Sequence, residues 1–279
     1  MGKAQARVIA VVNQKGGVGK TTTAVNLSAA LAIAERPTLL IDTDPQANST
    51  RALGFADDPE RLTLYDVLSG EATLDEAQLP VEAIPHLSLV PSTQDLIGAE
   101  VELVSAAERE FRLREALEPA RSRFDFVFVD CPPSLGFLTV NALSAADEVL
   151  IPVQCEYLAL EGISQLTETV QRVRQALNPR LAIAGILMTM YDDRTNLAKQ
   201  VVEEVRSVFG EQVYKTVIPR NVRLGEAPSH GKAIFLYDIR SKGAEAYFGL
   251  AKEFLDHEAQ GLGQGASQSD SGGTASEAC

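Results

Sequence analysis

The sequence predicts an α/β protein with a doubly wound, mostly parallel sheet and helices on both faces, and three observations predict it. Short apolar runs of strand length recur at residues 8–12, 38–41, 87–90, 124–129, 148–153 and 181–188, as strands buried on both faces require. Helical stretches separate most of these runs, the signature of parallel strands joined by crossovers. The first run breaks into a loop containing Gly16, Gly17 and Gly19 that opens directly into a helix.

At 279 residues and 45% hydrophobic content, the chain is long and apolar enough for one large domain, expected over residues 1–258. Residues 259–279 are rich in Gly, Ser and Gln with almost no large apolar side chain, so a disordered tail is expected there. No apolar run approaches membrane-spanning length and the first strand begins within about seven residues, so a cytoplasmic protein without a signal peptide is expected. Cys131, Cys155 and Cys279 lie far apart without metal-ligand spacing, and they read as reduced thiols rather than as a disulfide or zinc set. The net charge of −13 excludes a surface coated in nucleic acid. Residues 215–242 are the exception, with six Lys or Arg against two acids, a net +4.

In chain order, residues 8–12 form a buried strand, and residues 21–34 place Val25, Leu27, Leu31 and Ile33 among small residues, a helix that packs closely on the sheet. Strand, glycine loop and helix N-terminus converge unpaired N–H groups and the positive end of the helix dipole on one point, an anion site suited to a phosphate chain. Lys20 would reach the terminal phosphates, and the Thr21 hydroxyl would ligate a bridging magnesium ion. The usual phosphate-loop pattern asks for glycine at position 14, where Gln14 stands. In its place the loop begins with a second lysine, in the run Lys15-Gly16-Gly17-Val18-Gly19-Lys20-Thr21.

That run resembles the deviant Walker A motif of the ParA/MinD ATPase superfamily. The resemblance implies a nucleotide site formed by residues 15–22, namely Lys15, Gly16, Gly17, Val18, Gly19, Lys20, Thr21 and Thr22. It makes Lys15 the signature lysine, which crosses a dimer interface to the partner's nucleotide.

The second strand, residues 38–41, delivers Asp42-Thr43-Asp44-Pro45-Gln46 to the sheet edge where ligands bind in open parallel sheets. Two carboxylates beside a phosphate loop need a cation or a water to orient, while an Asp-Pro turn capping a helix from about residue 46 can coexist. The run resembles the second motif of the ParA family, which implies that Asp44 positions the attacking water with Asp42 in support. Residues 64–68 read as a short helix and 95–117 as a long one with a solvated, charged face. The strand at 124–129 ends at Asp130, the Walker B arrangement in which a carboxylate holds magnesium directly or through water. The following Cys131-Pro132-Pro133-Ser134-Leu135 again resembles ParA proteins, and Cys131 itself reads as a buried small residue. Residues 158–177 are helical, and 217–223 resemble a ParA segment that edges the adenine, which implies nucleotide contacts from Pro219 and Asn221. His230 has no nucleophile nearby and reads as a surface or capping residue, and residues 241–255 form a last helix.

The order and spacing of these motifs resemble the chromosomal ParA/Soj branch. About a dozen residues precede the glycine loop, so the N-terminal helix-turn-helix domain of larger plasmid relatives is expected to be missing. The resemblance implies a magnesium-dependent ATPase with ATP and Mg2+ as ligands and with Lys15, Lys20 and Asp44 as catalytic residues. Its expected partners are a second copy in an ATP-dependent dimer, double-stranded DNA bound without sequence preference, and a ParB/Spo0J-type centromere-binding protein that triggers hydrolysis. DNA contacts are expected from the basic segment and its surroundings: Arg194, Lys199, Arg220, Arg223, Lys232, Arg240 and Lys242. A MinD-like membrane ATPase would need a basic amphipathic C-terminal helix, and Glu245, Glu253 and Asp256 make the last helix a poor match to anionic lipid. An iron-protein-like reductase would need paired interface cysteines, which the spacing does not supply.

Overall fold

The computed structural model describes residues 5–268. In chain order the elements are β1 (Arg7–Val11), α1 (Lys20–Ile33), β2 (Thr38–Asp42), α2 (Asn48–Ala52), α3 (Leu64–Ser69), α4 (Leu74–Ala77), β3 (Leu79–Pro80), β4 (Leu87–Val90), α5 (Leu96–Glu102), α6 (Arg112–Leu117), β5 (Phe126–Asp130), α7 (Phe137–Ala145), β6 (Glu148–Gln154), α8 (Ala159–Ala176), β7 (Ala182–Thr189), α9 (Asn196–Phe209), α10 (Val222–Glu226), α11 (Ile234–Tyr237) and α12 (Lys242–Gln268). The seven strands form one sheet in the order β3-β4-β2-β5-β1-β6-β7. Every pairing is parallel except the two-residue edge strand β3, which runs antiparallel to β4.

Alternation along the strands builds two cores, as a pleat with period two requires. Ile9, Val11, Leu40, Phe126 and Phe128 face α1, α11 and α12, whereas Val8, Ala10, Ile41, Val127 and Val129 face α5 to α9. Helix α1 is buried along almost its whole length, because small residues at Ala24, Ala29, Ala30 and Ala32 let it press against the sheet from the phosphate loop onward.

Three expectations are corrected. The single long helix at 95–117 is broken into α5 and α6 by 3₁₀ turns and by Glu108, which adopts φ 54°. A straight helix of that length would run about 34 Å, roughly twice the span of the five-residue strands it crosses, so the chain has to fold back. Helix α9, capped by the Thr195 hydroxyl on the N–H of Ala198, was not expected. Finally, α12 continues to Gln268, past residue 255 where the last helix was expected to end. Extension adds a hydrogen bond per residue to a helix already nucleated on the core. The rest of the expected tail, 269–279, lies outside the described residues. Among the described residues no helix is long and apolar enough to cross a membrane.

Candidate nucleotide site

Strands β1, β2 and β5 end side by side, and their C-terminal edge carries the site. The loop after β1 passes through Gly17 at φ 75° and Gly19 at φ 92°, conformations that only glycine adopts without strain. Gly19 is the N-cap of α1 and no side chain caps that end, nor is there an acidic residue in the first turn. The amide donors and the positive dipole end are therefore available to an anion.

A cavity of about 430 Å³ opens over this loop, lined by Gly16, Gly17, Gly19, Lys20, Thr21 and Thr22 on one side and by Asp44, Gln46 and Asn48 on another. Lys20 is 7% exposed, and its Nζ donates to the Lys15 carbonyl at 3.1 Å. Desolvation lowers its pKa, opposed by the neighbouring Asp130 and Asp44 carboxylates. Such a half-satisfied, desolvated ammonium gains most from a bound polyanion. The Val18 side chain, by contrast, is in the core, and its carbonyl accepts from the Thr189 hydroxyl at 2.8 Å. Val18 thus contributes to the loop as backbone alone.

The three carboxylates are layered. Asp42 is fully buried and accepts from the Thr50 N–H and hydroxyl, both at 2.8 Å, and from the Asp44 N–H at 3.1 Å. Burial and then the neighbouring Asp130 charge push its pKa up, against those hydrogen bonds. Asp130, next to it across the β2–β5 register, is also pushed up by burial, opposed by the Ser49 hydroxyl, which donates to Oδ2 at 2.8 Å, and by the Thr21 hydroxyl beside it. Its Oδ1 is buried with no hydrogen-bond partner, a cost that a cation or an ordered water would relieve. That orphaned oxygen, next to Thr21 and behind the phosphate loop, fits a magnesium ion held by Thr21 and Asp130. Asp44 is the carboxylate that reaches the cavity, with Oδ1 held by the Gln46 N–H at 2.9 Å.

Lys15 stands apart from this group. Its Nζ pairs with Glu156 at 2.6 Å, and the Glu156 carboxylate is also held by the Gln154 amide. The ammonium is thereby kept at the outer face of the loop, and the cavity lining does not include Lys15. A second cavity of about 360 Å³ adjoins the first through Gly19, Thr22 and Met190, and Pro219 and Asn221 line it together with Ile218 and Tyr247. Asn221 Oδ1 is already engaged as the N-cap of α10, accepting from the Arg223 N–H at 2.8 Å.

The basic residues divide. Lys232 is exposed and also borders the cavity over the glycine loop. Arg194 is clamped by Asp192 through two hydrogen bonds of 2.7 and 2.8 Å. Arg223 pairs with Glu226 at 2.8 Å and Asp238 at 3.6 Å. Lys199, Arg220, Arg240 and Lys242 are exposed with no ion pair found for them among the described residues. His230 is exposed and stacks on Tyr237 at 5.0 Å, as a surface role requires. Cys131 and Cys155 are buried free thiols whose pKa values burial raises, so both are held in the unreactive protonated form. Among the described residues no group of three or more His, Cys, Asp or Glu side chains is arranged to hold a metal.

Sequence reasoning missed Ser49 and Thr50, whose hydroxyls satisfy Asp130 and Asp42. The signal was the Asn48-Ser49-Thr50 run directly after the Asp-Pro turn. It also missed Met190, which holds φ 51° where the two cavities meet; nothing local foretells that conformation.

Comparison with known proteins agrees with this geometry. An AAA domain family matches residues 6–183. The chain is 57% identical over 249 residues to the chromosome partitioning protein ParA of Myxococcus xanthus, covering 89% of this chain and 88% of that one. It is 55% identical over 247 residues to the sporulation initiation inhibitor protein Soj of Bacillus subtilis, covering 88% and 97%. Among solved structures, a cobyrinic acid a,c-diamide synthase from Mycobacterium smegmatis with bound ATP analog and magnesium superposes with a TM-score of 0.80 at 39% identity, covering 92% and 97%. A glycine loop with a leading second lysine, a buried carboxylate layer behind it and relatives of this identity over nine-tenths of the chain lead to one conclusion: the chain belongs to the ParA/Soj family of chromosome-partitioning ATPases.

Proposed function

We propose that this ATPase is magnesium-dependent, that ATP joins two copies face to face, and that the dimer binds DNA without reading its sequence until a ParB-type partner triggers hydrolysis. The observation that carries the reading is the single cavity bordered by the glycine loop, Lys20, Thr21 and Asp44, with the orphaned Asp130 oxygen behind it. The loop amides and Lys20 bind and orient the phosphates. Asp44, fixed by its own turn and by Asp42 beneath, orients the attacking water. Magnesium, held by Thr21 and Asp130, would neutralise charge on the phosphate oxygens. Pro219 and the second cavity receive the base. Lys15 serves the other copy's nucleotide, for which it must leave Glu156.

Nucleotide can drive such a switch only through contacts made in one state and absent from the other, and Lys15 supplies one. DNA is assigned to Lys199, Arg220, Arg240 and Lys242, with Arg194 and Arg223 contributing if they exchange their acidic partners for phosphate. On this reading the protein works on the nucleoid in the cytoplasm rather than at a membrane. The described side chains of α12 include Lys242 and Lys252 against Glu245, Glu253, Asp256 and Glu258, an unfavourable balance for anionic lipid.

Steady-state ATP turnover tests the reading. Activity should fall to background on chelation of magnesium and rise when random duplex DNA and the ParB-type partner from the same genome are added together. Full turnover in excess chelator, or indifference to both additions, would refute it.

A further inference from the structure

We infer that the outward face of α5 is the docking surface for a cationic amphipathic helix of the partner protein, and that occupation of this face acts on Asp44. The inference rests on the functional reading above, which supplies the existence of a hydrolysis-triggering partner. The surface itself rests on three independent observations.

The first is an apolar row without a cover. Helix α5 buries Leu96 and Ala99 against the core, with Leu103 just beyond its end. On the flank it also presents Ile97 and Val101, 54% and 74% exposed, and Val104 in the 3₁₀ turn that follows is 61% exposed. Positions i and i+4 share one side of a helix, so Ile97 and Val101 form a pair on one side of α5, with Val104 exposed in the adjoining turn. Such a row marks an interaction surface more often than chance, and an amphipathic helix laid along it would meet it with the same spacing.

The second observation is charge. Residues 57–118 hold fifteen Asp or Glu against four Arg, a net −11 within a chain of −13. Next to the row, the Tyr65 hydroxyl on the neighbouring α3 donates to Glu102 at 2.7 Å, and that hydrogen bond, then desolvation, then the charges of Glu102, Glu71 and Asp66 push its pKa up to about 12. An acidic surround with an apolar centre selects a basic amphipathic segment and disfavours the same face of a second copy, which would bring −11 against −11. The chain's own residues 269–279 carry no Lys or Arg and are equally unsuited.

The third observation connects the face to the chemistry. The segment that leads into α5 is hydrogen-bonded to the carboxylate layer. The Ser92 hydroxyl donates to the Asp44 carbonyl at 2.6 Å, and the Ser92 N–H donates to Thr50 Oγ1 at 3.0 Å, the same hydroxyl that holds Asp42. Only residues 93–95 separate that contact from α5. A helix pressed onto Ile97 and Val101 therefore bears on the backbone that positions Asp44. Ser92 acts in this scheme as a positioning residue.

Two measurements decide it with the full-length protein and the full-length ParB-type partner. In the first, the double variant Val101→Ser/Val104→Ser, both exposed and so tolerated by the fold, should keep its unstimulated turnover. Partner-stimulated turnover at subsaturating partner should fall about tenfold, the loss expected when two apolar anchors are removed from an interface. Equal stimulation of variant and wild type would overturn the docking surface while leaving the proposed function standing. Absence of stimulation even in the wild type would overturn both. The second measurement places a benzophenone amino acid at position 101 and identifies the cross-linked segment. A Lys/Arg-rich amphipathic segment of the partner supports the inference, and a cross-link to a second copy of this chain, to an acidic segment, or to nothing overturns it.

Discussion

Lys20→Ala is expected to lose ATP binding altogether at working nucleotide concentrations. Among the described residues the ammonium is the one cation buried beside the glycine loop, and its present partner is a single carbonyl at 3.1 Å. Removing one member of a desolvated, charge-assisted contact costs on the order of 2 to 5 kcal/mol, or roughly 30-fold to several thousandfold in affinity. Fluorescent ATP titrated onto the variant measures this. Because Asp130 and Asp44 also lose a neighbouring positive charge, the variant should not be rescued by excess magnesium. Wild-type affinity would show that the loop amides alone hold the phosphates.

Asp44→Ala should separate binding from hydrolysis. Asp44 borders the cavity but does not hold the loop in place: its carboxylate accepts only from the Gln46 N–H two residues on, while the structural task falls to Asp42 and Thr50. The fold and the phosphate cradle should survive. Turnover should fall about a hundredfold to ten-thousandfold, the range associated with loss of a group that orients or activates the attacking water, with ATP affinity within a few-fold of wild type. The variant should therefore accumulate as the ATP-bound dimer. Single-turnover hydrolysis with labelled ATP provides the check, and a wild-type rate would remove Asp44 from the chemistry.

The phosphate loop was legible because its conformation is dictated locally. Gly17 and Gly19 must stand where φ is positive, and the lysine and threonine follow at fixed offsets. The strands were legible for a similar reason, each being a short apolar run ended by a polar or acidic residue. Helix α9 carried a readable signal in Ala198, Val201, Val202 and Val205, which are buried at helical spacing behind a threonine cap. The edge strand β3 has only two residues, too few for any period. Long-range pairings were not legible at all. Lys15 and Glu156 are 141 positions apart, Ser92 and Asp44 are 48 apart, and no local pattern announces that the sheet brings them together. The same applies to the basic segment, where sequence counts charges and only the fold shows Arg223 paired with Glu226 and Asp238 and Lys232 bordering the cavity over the glycine loop.

If nucleotide gates a non-specific DNA surface, titration of the protein onto random duplexes with ATP and with ADP shows it. The ATP form, carrying two copies of the surface around Arg220, should bind all sequences alike. With roughly six phosphate contacts in total, its affinity should fall on the order of a thousandfold between 50 and 200 mM salt. Arg220→Glu should weaken binding to every duplex equally, and more than Arg223→Glu, because Arg223 already spends its charge on two acids. Binding by the ADP form as tight as by the ATP form, or a salt response that is flat, would contradict the claim.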